Sequence, residues 1–505
     1  MDLQILNQLW FALVLLIPIV LIARTAVAGT RYSPILIIVL FGLAMGFLMV
    51  QSQVGTPGLS EFPLLILLSK VTVIVLIVSF FVGGQELRKI IFKHHLDIEP
   101  LVVESQEEVI LGTKRTQFVF IIRSVFILLG IAGANALLVG YAEADPLGKA
   151  YPLLTYIGLI GSIILIDSRA TITDKPAYIR KGVIETACIL LVLIISSAIA
   201  RWIQPVIGLP QIFFAMLVAA SLGFVVAAWR FGPTIKSLLF AGIPVVLAAN
   251  FLIGGSRIVE AFKLTEMKAV MGYGFFGQIF WMFGGLAILI FWGKANHVRN
   301  LAPGMAGSLS HSGLTGACTA GDLGQEAAAR APIMINIPFF GHVFVFSILA
   351  YSAKRGSLTY FWVLLVAAVG VFLTVKSLKL LQKAEGDEEA EVKGLMLFSF
   401  GWQICAVFGS FLILALSGMS IGNSGMAVSS ALSHFGLFAA TQGGMFGEQA
   451  ASLIPFIFAM PFLVHPLVFG IFGKAMSYDG KMPEKVIYPL ALIGILGVII
   501  SLLVF

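Results

Sequence analysis

Long apolar runs alternate with short polar connections along the whole chain. Sixteen apolar segments can be distinguished, and most approach the roughly 20 residues that a helix needs to cross a hydrocarbon core. A backbone in lipid must satisfy its own hydrogen bonds, and these runs are too long and too continuously apolar for barrel strands. They therefore predict membrane-spanning α-helices, at about 7–24, 33–51, 62–84, 116–140, 152–167, 182–200, 209–229, 235–255, 268–293, 303–320, 331–352, 357–380, 395–418, 426–442, 453–473 and 486–505.

Two of these segments, 303–320 and 426–442, are short and rich in Gly, Ser and Thr. Glycine permits a helix to unwind, so both segments predict broken helices that either span the membrane or re-enter it. The predicted fold class is an all-α polytopic membrane protein with about 14–16 transmembrane segments, internal repeats and Gly-broken helices.

Both polar segments belong to an internal repeat. Residues 309–342 and 432–465 match at a constant offset of 123, with 14 of 34 positions identical and no gap. Upstream, GQIFWMFG (277–284) pairs loosely with WQICAVFG (402–409). The two copies are parallel if four true crossings separate them, and inverted if the polar segment re-enters. The identical pairs include Ser310/Ser433, His311/His434, Gly313/Gly436, Gly321/Gly444, Gly324/Gly447, Pro332/Pro455, Pro338/Pro461 and His342/His465.

A weaker similarity relates FFVGGQELRKI (80–90) to FLIGGSRIVEAF (251–262) in the middle of the chain. An odd number of predicted spans separates these two runs, so they have opposite orientations. The sequence therefore divides into a first helix (1–30), a first membrane repeat (31–205), a second membrane repeat (206–356) and a third repeat-like module (357–505), which matches 276–382 at the offset of 123.

Composition and charge exclude a soluble or nucleic-acid-binding protein. Hydrophobic residues make up 59% of the chain, charged residues 11%, and the mean hydropathy is +1.02, whereas soluble proteins carry about a quarter charged residues. The net charge of +7 comes from Lys and Arg in short loops. These residues are concentrated in alternate loops, beginning with the first, which predicts a protein of the cytoplasmic (inner) membrane with its N-terminus outside.

The conserved Ser-His-x-Gly-Leu context of the two copies predicts the substrate-binding residues. A neutral imidazole both donates and accepts hydrogen bonds, so it suits a polar or proton-linked contact inside a membrane. A hydrogen bond between packed helices explains the same pattern equally well. The predicted substrate-binding set is Ser310, His311, Gly313, Ser433, His434 and Gly436.

The glycine-flanked runs GDLGQE (321–326) and GMFGEQ (444–449) predict ion binding. Unwound carbonyls and carboxylates are hard oxygen ligands that suit Na⁺, and a new helix N-terminus attracts an anion. The alternative is a turn outside the membrane with acidic residues at a helix start. The predicted ion-binding set is Asp322, Gln325, Glu326, Glu448, Gln449 and Asn250.

Charged residues within or beside apolar runs are further candidates, because an ionisable group at membrane depth costs about 2.5–3.5 kcal/mol or more. Lys70 is the most unusual, and a buried ion pair with a distant carboxylate would explain it. Snorkelling and helix-end positions are the alternatives. This set is Lys70, Glu86, Arg123, Asp167 and Glu185.

The sequence contains none of the motifs that indicate ATP use, a catalytic metal site or a disulfide framework. The chain has no phosphate-binding Walker loop, so it is not expected to use ATP. It has no HExxH and no Cys/His cluster, and its three cysteines form no disulfide pattern. We therefore expect neither an enzyme nor a bound cofactor, apart from Na⁺ or H⁺ as a coupling ion.

Two resemblances add to this reading. In the order of its spans, with FFVGGQELRKI (80–90) followed by GSIILIDSRATITD (161–174), the first half resembles the cation/proton antiporter superfamily. The run LSHSGLTGACTAGDLG (309–324), followed by IPFFGHVFVFSILA (337–350), is similar to the sodium-coupled glutamate symporters of bacteria, with matches at His311, Gly313, Gly316 and Gly321.

These resemblances cover roughly residues 30–355. They imply inverted five-span repeats with crossed broken helices and a glutamate-like substrate. The chain departs from the symporter pattern by continuing for about 150 residues with the third module, and it lacks the paired acidic motif of a proton antiporter.

The sequence thus predicts an ion-coupled secondary transporter for a small organic anion, an amino acid or carboxylate. A monovalent cation/proton antiporter and an integral membrane enzyme acting on lipid are the alternatives. The expected partners are the small-molecule substrate and the lipid bilayer, nucleic acid is not expected, and a homodimer is one of the open oligomeric states.

Overall fold

The computed structural model describes residues 175–207, 211–226, 267–319, 321–356, 358, 360–384, 387–442, 444–457 and 460–504, together with single positions between 22 and 88. This part of the chain is almost entirely helical, in agreement with the predicted α-helical class. The helices are α1 (Lys175–Ile207), α2 (Gln211–Val225), α3 (Lys268–Phe291), α4 (Val298–Leu309), α5 (Ser312–Thr319), α6 (Gln325–Lys354), α7 (Tyr360–Lys383), α8 (Glu388–Leu416), α9 (Ile421–Leu432), α10 (Phe435–Gln442), α11 (Glu448–Ile457), α12 (Met460–Ser477) and α13 (Glu484–Val504).

Five of the described helices are long and apolar enough to cross a membrane. They cover Ile179–Val206, Lys268–Phe291, Phe361–Lys383, Glu388–Leu416 and Glu484–Leu503. The helices differ in burial: α8 lies mostly inside the protein, while α7 and α13 leave most of their apolar surface uncovered. Apolar side chains on the outside of long helices are compatible with a lipid environment.

The region from α3 to α13 consists of two copies of one helical unit. In each copy, a long helix (α3 or α8) precedes two short helices (α4–α5 or α9–α10), another long segment (α6 or α11–α12) and a last helix (α7 or α13). The copies exchange contacts reciprocally: α3 packs on α13 and α9, and α8 packs on α7 and α4. The buried core therefore joins the two copies into one body.

The short helices α4 and α5 form a helical hairpin that turns back inside the protein. Arg299, at the start of α4, forms a 3.2 Å salt bridge with Glu326 at the start of α6. Eight residues further along α4, a methyl group added at Gly307 would lie 2.2 Å from the carbonyl oxygen of Met334 in α6. Because α4 and α6 run side by side in the same direction, α5 must return the chain to the end where α4 began.

The helices α9 and α10 form a second hairpin of the same kind. Ser429 Oγ in α9 and Thr441 Oγ1 in α10 lie 3.0 Å apart, so the two helices fold back on each other. Ser430 donates a 3.0 Å hydrogen bond to the carbonyl of Ile457 in α11. Ser430 and Ile457 are the repeat equivalents of Gly307 and Met334, so the same neighbours meet in both copies. The sequence left open whether 303–320 and 426–442 are straight or turn back, and the structure shows that both fold back as helical hairpins.

This topology determines the relative orientation of the copies. In each copy, the first long helix, the long segment after the hairpin and the last helix run from one end of the body to the other, while the hairpin returns to the end where it began. Three crossings are an odd number, so the second copy is inverted relative to the first. The base of the first hairpin lies beside Lys481, where His297 and Lys481 form a backbone bridge. We call this end the Lys481 end. The base of the second hairpin lies at the opposite end, which we call the Glu448 end because α11 starts there.

An ionic cluster ties the Lys481 end of the two copies together. The guanidinium of Arg330 in α6 is buried, with 4% of its side chain exposed, and lies 3.0 Å from Glu388 and 3.7 Å from Glu391 of α8. The amide nitrogen of Asn300 in α4 also donates to Glu391. In the second copy, Leu453 occupies the position equivalent to Arg330, so this cluster breaks the symmetry of the repeat.

In the first half of the chain, a segment that includes Gly84 packs closely on α2. A methyl group added at Gly84 would lie 2.0 Å from the carbonyl oxygen of Ala220, and one at Gly223 would lie 1.8 Å from that of Phe81. Arg88 donates a 2.8 Å hydrogen bond to the carbonyl of Val225, at the end of α2. The glycine of the FFVGGQELRKI run thus permits close helix packing.

Candidate functional site

Each hairpin turns at a Ser-His pair. Ser310 and Ser433 adopt left-handed backbone conformations, with φ of 50° and 51°. The amide of His311 donates to the carbonyl of Ala306, and the amide of His434 donates to that of Ser429, which ends each first helix in a Schellman-type turn. A left-handed conformation disfavours a residue with a Cβ by roughly 1–2 kcal/mol, so surrounding packing must hold both tips in place. We call Ser310–His311 and Ser433–His434 the hairpin tips.

The histidine of each tip caps the helix that follows it. His311 Nδ1 accepts a 3.0 Å hydrogen bond from the backbone N–H of Leu314, and His434 Nδ1 accepts a 3.1 Å bond from the N–H of Leu437. These bonds satisfy amides in the first turns of α5 and α10, as an N-cap side chain does. Both imidazoles are completely buried. A neutral ring that accepts at Nδ1 carries its proton on Nε2.

A glutamine from the long helix before each hairpin meets that Nε2 proton. Gln278 of α3 lies 2.8 Å from His311 Nε2, and Gln403 of α8 lies 3.4 Å from His434 Nε2. Because the imidazole Nε2 donates, the amide receives the bond through its oxygen, after a half-turn about the last torsion of the glutamine. The backbone amides of Leu314 and Leu437 therefore fix the tautomer of both tip histidines, and each glutamine lies at the remaining ring nitrogen, Nε2.

The two tips meet in the interior of the protein. The backbones of His311 and His434 pair as an antiparallel bridge. An antiparallel pair of equivalent residues has a local twofold axis between its members, so the bridge lies on the axis that relates the inverted copies. Each hairpin starts at a different end of the body, and the bridge is where the two hairpins touch.

Each tip is covered by an aromatic side chain of the other copy. A methyl group added at Gly313 would lie 3.1 Å from the ring of Phe469, and one at Gly436 would lie 3.2 Å from the ring of Phe346. Phe346 and Phe469 are equivalent residues of α6 and α12. The absence of a side chain at Gly313 and Gly436 therefore allows the partner copy to close over each tip.

A third imidazole lies beside the first tip. His465 of α12 is completely buried, and its ring centroid lies 4.7 Å from that of His311 at an interplanar angle of 52°. Its Cε1 atom would be 3.3 Å from a methyl group at Gly313. The side chain of its repeat equivalent, His342, lies outside the described residues.

The structure brings the predicted substrate-binding residues together. Ser310, His311, Gly313, Ser433, His434 and Gly436 all lie at or within three residues of the central bridge. Ser433, His311 and His434 are fully buried, whereas Ser310 and Gly436 are half-buried.

The predicted ion-binding residues do not join them. Asp322, Gln325 and Glu326 lie at the turn before α6 on the Lys481 end, where Glu326 pairs with Arg299. Glu448 and Gln449 are exposed at the start of α11 on the Glu448 end. This arrangement corresponds to the alternative of polar turns with acidic residues at a helix start. Asn250 lies outside the described residues.

Of the charged candidates, Glu185 is the one that the structure describes. It is completely buried in α1. The other four, Lys70, Glu86, Arg123 and Asp167, lie outside the described residues.

Sequence reasoning missed the two glutamines and did not include His465 among the predicted site residues. The loose match of 277–284 with 402–409 contains Gln278 and Gln403. These two residues are two positions out of register with the offset of the main repeat, so they were not recognised as an equivalent pair. No cluster of His, Cys, Asp and Glu among the described residues could hold a metal ion. Comparison with models of protein families, with curated proteins and with solved structures finds no match to this chain.

Proposed function

We propose that this protein is an ion-coupled secondary transporter of a small organic anion, with an amino acid or carboxylate such as glutamate as the substrate. The observation that carries the proposal is the bridge between His311 and His434, where two re-entrant hairpins from opposite ends meet. Inverted repeats with interrupted helices are a recurring plan in secondary transporters, and their substrates bind where the interruptions meet.

The electrostatics of the tips favour an anion. The N-termini of α5 and α10 begin at the tips, and helix N-termini carry partial positive charge and unsatisfied N–H groups. The described carboxylates of both hairpin regions lie at the ends of the body instead. A substrate carboxylate placed between the tips would meet helix N-termini and imidazoles without a fixed negative charge beside it.

The inverted topology offers a route for alternating access. The first hairpin is anchored at the Lys481 end by the Arg299–Glu326 salt bridge, and the base of the second hairpin packs at Gly422 against Phe446 at the Glu448 end. Movement of one hairpin away from the bridge would open the tips toward one end, and movement of the other would open them toward the opposite end. Phe346 and Phe469 would have to leave their glycines in these two movements.

The re-entrant hairpins also refine the proposed membrane topology. Since two of the sixteen apolar segments turn back, the chain would cross the membrane about 14 times. We place the Lys481 end in the cytoplasm and the N-terminus outside, because positive residues concentrate at the Lys481 end. In the described copies this end has Lys294, Arg299, Arg330, Lys376, Lys379, Lys383, Lys393, Lys474, Lys481 and Lys485, and the Glu448 end has Lys268, Lys354 and Arg355.

A monovalent cation/proton antiporter is the second candidate. The observation that favours it is Glu185, a completely buried carboxylate in a helix long enough to span a membrane. An antiporter would need this carboxylate and no organic substrate. A lipid-modifying enzyme is less well supported, because its polar residues would converge at one membrane surface, and the described tips meet between the two ends.

Transport assays with purified protein in liposomes test the proposal. Vesicles preloaded with unlabelled amino or dicarboxylic acids would be diluted into a trace of labelled acid, and exchange would be measured for each acid. We expect exchange of at least one acid, lost in Ser433→Leu at the second tip and retained in Ser452→Leu, an exposed serine of α11. If no acid exchanges, and Na⁺ or K⁺ instead exchanges for protons in a Glu185-dependent manner, the antiporter is correct.

A further inference from the structure

We propose that Gln278 recognises the carboxylate of the transported acid through the NH₂ group of its side chain. This inference rests on the proposed transport function and names the residue and the substrate group that would meet at the tips. Its basis is a buried side-chain amide with two different polar atoms. One of them contacts the first tip, and the other makes no hydrogen bond in the described part of the chain.

The first polar atom of this amide is committed to His311. The backbone N–H of Leu314 already bonds to Nδ1 of the imidazole, so the ring proton is on Nε2, which lies 2.8 Å from the Gln278 amide. An amide can accept that proton only through its oxygen. The oxygen of Gln278 therefore faces His311, and the NH₂ group takes the other position of the amide, where the described residues make no hydrogen bond.

Gln278 lies beside both hairpins. Its side chain contacts the first tip, and its helix, α3, packs on α9 of the second hairpin. A methyl group added at Gly277 would lie 2.9 Å from Cβ of Ala431, and one at Gly274 would lie 2.5 Å from Oγ of Ser430. Ala431 and Ser430 precede the second tip by only a few residues. The amide of Gln278 is therefore next to the position assigned to the substrate.

An NH₂ group without an acceptor is unfavourable at this place. Gln278 is completely buried, and a buried amide donor that makes no hydrogen bond loses the bonds that water would supply. A carboxylate between the tips would accept from this group, and the N-termini of α5 and α10 favour the same charge. Because a carboxylate only accepts hydrogen bonds and an ammonium group only donates them, these donors select the carboxylate end of an amino acid.

Other buried side chains with an atom that makes no hydrogen bond give no comparable indication. Asn300 and Ser424 lie in the first turns of α4 and α9, at the bases of the hairpins. Gln403 and His465 lie at the tips, but both have further interactions, and we assign them no role in binding. Carboxylate recognition is therefore assigned to Gln278.

Thermal unfolding of the purified protein in detergent, with and without ligand, tests this inference. The probes are glutamate and its two monoamides, in Na⁺ buffer at neutral pH, and any other acid that exchanges is tested with its own amide. Binding to the folded state raises the melting temperature by mass action. In the unmodified protein, glutamate should act at a concentration about fivefold lower than at least one monoamide, because hydrogen bonds to a charged acceptor are stronger.

The variant Gln278→Glu separates binding from positioning. It keeps an oxygen for the Nε2 proton of His311 and replaces the NH₂ group with a second oxygen. We expect it to need about 10- to 100-fold more glutamate for the same rise in melting temperature, as for lost hydrogen bonds to a charged group. Gln278→Met, which lacks both groups, should show the same loss. Gln382→Glu, at an exposed position of α7, is the matched control and should respond as the unmodified protein.

The possible results lead to different conclusions. If Gln278→Glu responds to glutamate as the unmodified protein does, Gln278 does not bind the carboxylate, and a loss confined to Gln278→Met would show that it only positions His311. Equal action of glutamate and both monoamides on the unmodified protein would overturn carboxylate recognition, however well the variants fold. Absence of a response to every acid, together with absence of exchange, would remove the proposed function itself.

Discussion

His311 and His434 form an antiparallel backbone bridge although 123 residues separate them in the chain. Both residues occupy the same position in their repeats, both cap the helix that follows, and both meet a glutamine from the preceding long helix. The bridge places two interrupted helices in contact in the interior of a largely apolar protein. It therefore determines where polar chemistry can occur in this region.

The inverted topology predicts which loops face the same side of the membrane. Single cysteines at Glu326 and Lys481 should react with a membrane-impermeant maleimide from one side, and those at Glu448 and Arg355 should react from the other. The background would be a chain with its three cysteines replaced, two of which are buried. If 303–320 spanned the membrane, Arg355 and Lys294 would instead label from the same side.

Close packing of the first hairpin on α6 predicts a severe effect of Gly307→Ala. The added methyl group would lie 2.2 Å from the Met334 carbonyl oxygen, a backbone atom that cannot move aside easily. Overpacking of this kind costs typically 1–3 kcal/mol or more. Thermal unfolding in detergent should show the loss.

Gly304→Ala provides the matched control, because it lies in the same helix and its nearest neighbour would be 3.5 Å away. Alanine is favoured over glycine inside a helix by about 1 kcal/mol, so this variant should be neutral or more stable. Equal losses for the two variants would contradict the packing of α4 on α6.

The capping role of His311 predicts a difference between two substitutions. His311→Asn places an oxygen near the position of Nδ1 and can still accept the Leu314 amide, whereas His311→Leu cannot. Loss of a cap costs about 0.5–2 kcal/mol. We expect His311→Leu to melt at a lower temperature than His311→Asn in detergent. Similar melting temperatures would show that the bond between Nδ1 and Leu314 does not stabilise α5.

The Gln–His pairs predict an energetic coupling that differs between the two tips. A double-mutant cycle with Gln278→Leu and His311→Leu should give a coupling of about 1 kcal/mol, typical of a buried hydrogen bond. The equivalent cycle with Gln403→Leu and His434→Leu should give less, because the atoms lie 3.4 Å apart rather than 2.8 Å. Urea or thermal unfolding supplies the four stabilities of each cycle, and additive effects at the first tip would contradict the proposed hydrogen bond.

The ionic cluster at the Lys481 end predicts that Arg330→Leu is destabilising. The variant copies the residue at the equivalent position, Leu453, but leaves Glu388 and Glu391 without their cation. Breaking a fully buried pair costs about 3–5 kcal/mol, and the partial exposure of both glutamates should reduce the loss below this range. Adding Glu388→Gln and Glu391→Gln to Arg330→Leu should recover part of the stability, and no recovery would show that Arg330 acts through packing alone.

Local hydrophobicity was sufficient to predict much of this protein. A 24-residue apolar run such as Lys268–Phe291 forms a helix where water is excluded, because a helix satisfies the backbone hydrogen bonds within one segment. The repeat and its constant offset identified both tips and six residues that converge there. The glycines and the Ser-His pairs indicated where the tips lie, because a helix must end where the chain reverses.

Tertiary packing decided the rest. Whether 303–320 crosses or turns back depends on Gly307 packing against α6 and on Arg299 reaching Glu326, contacts between residues that no local pattern relates. The same packing placed Asp322, Glu326 and Glu448 at the ends of the body, away from the tips. It also brought Gln278, Gln403 and His465 to the tips from other helices, because the inverted copies exchange their contacts across a twofold axis. The sequence alone thus determined which segments are helical and where the helices are interrupted. The packing between the two copies decided which interruptions lie together at the tips and which side chains surround them.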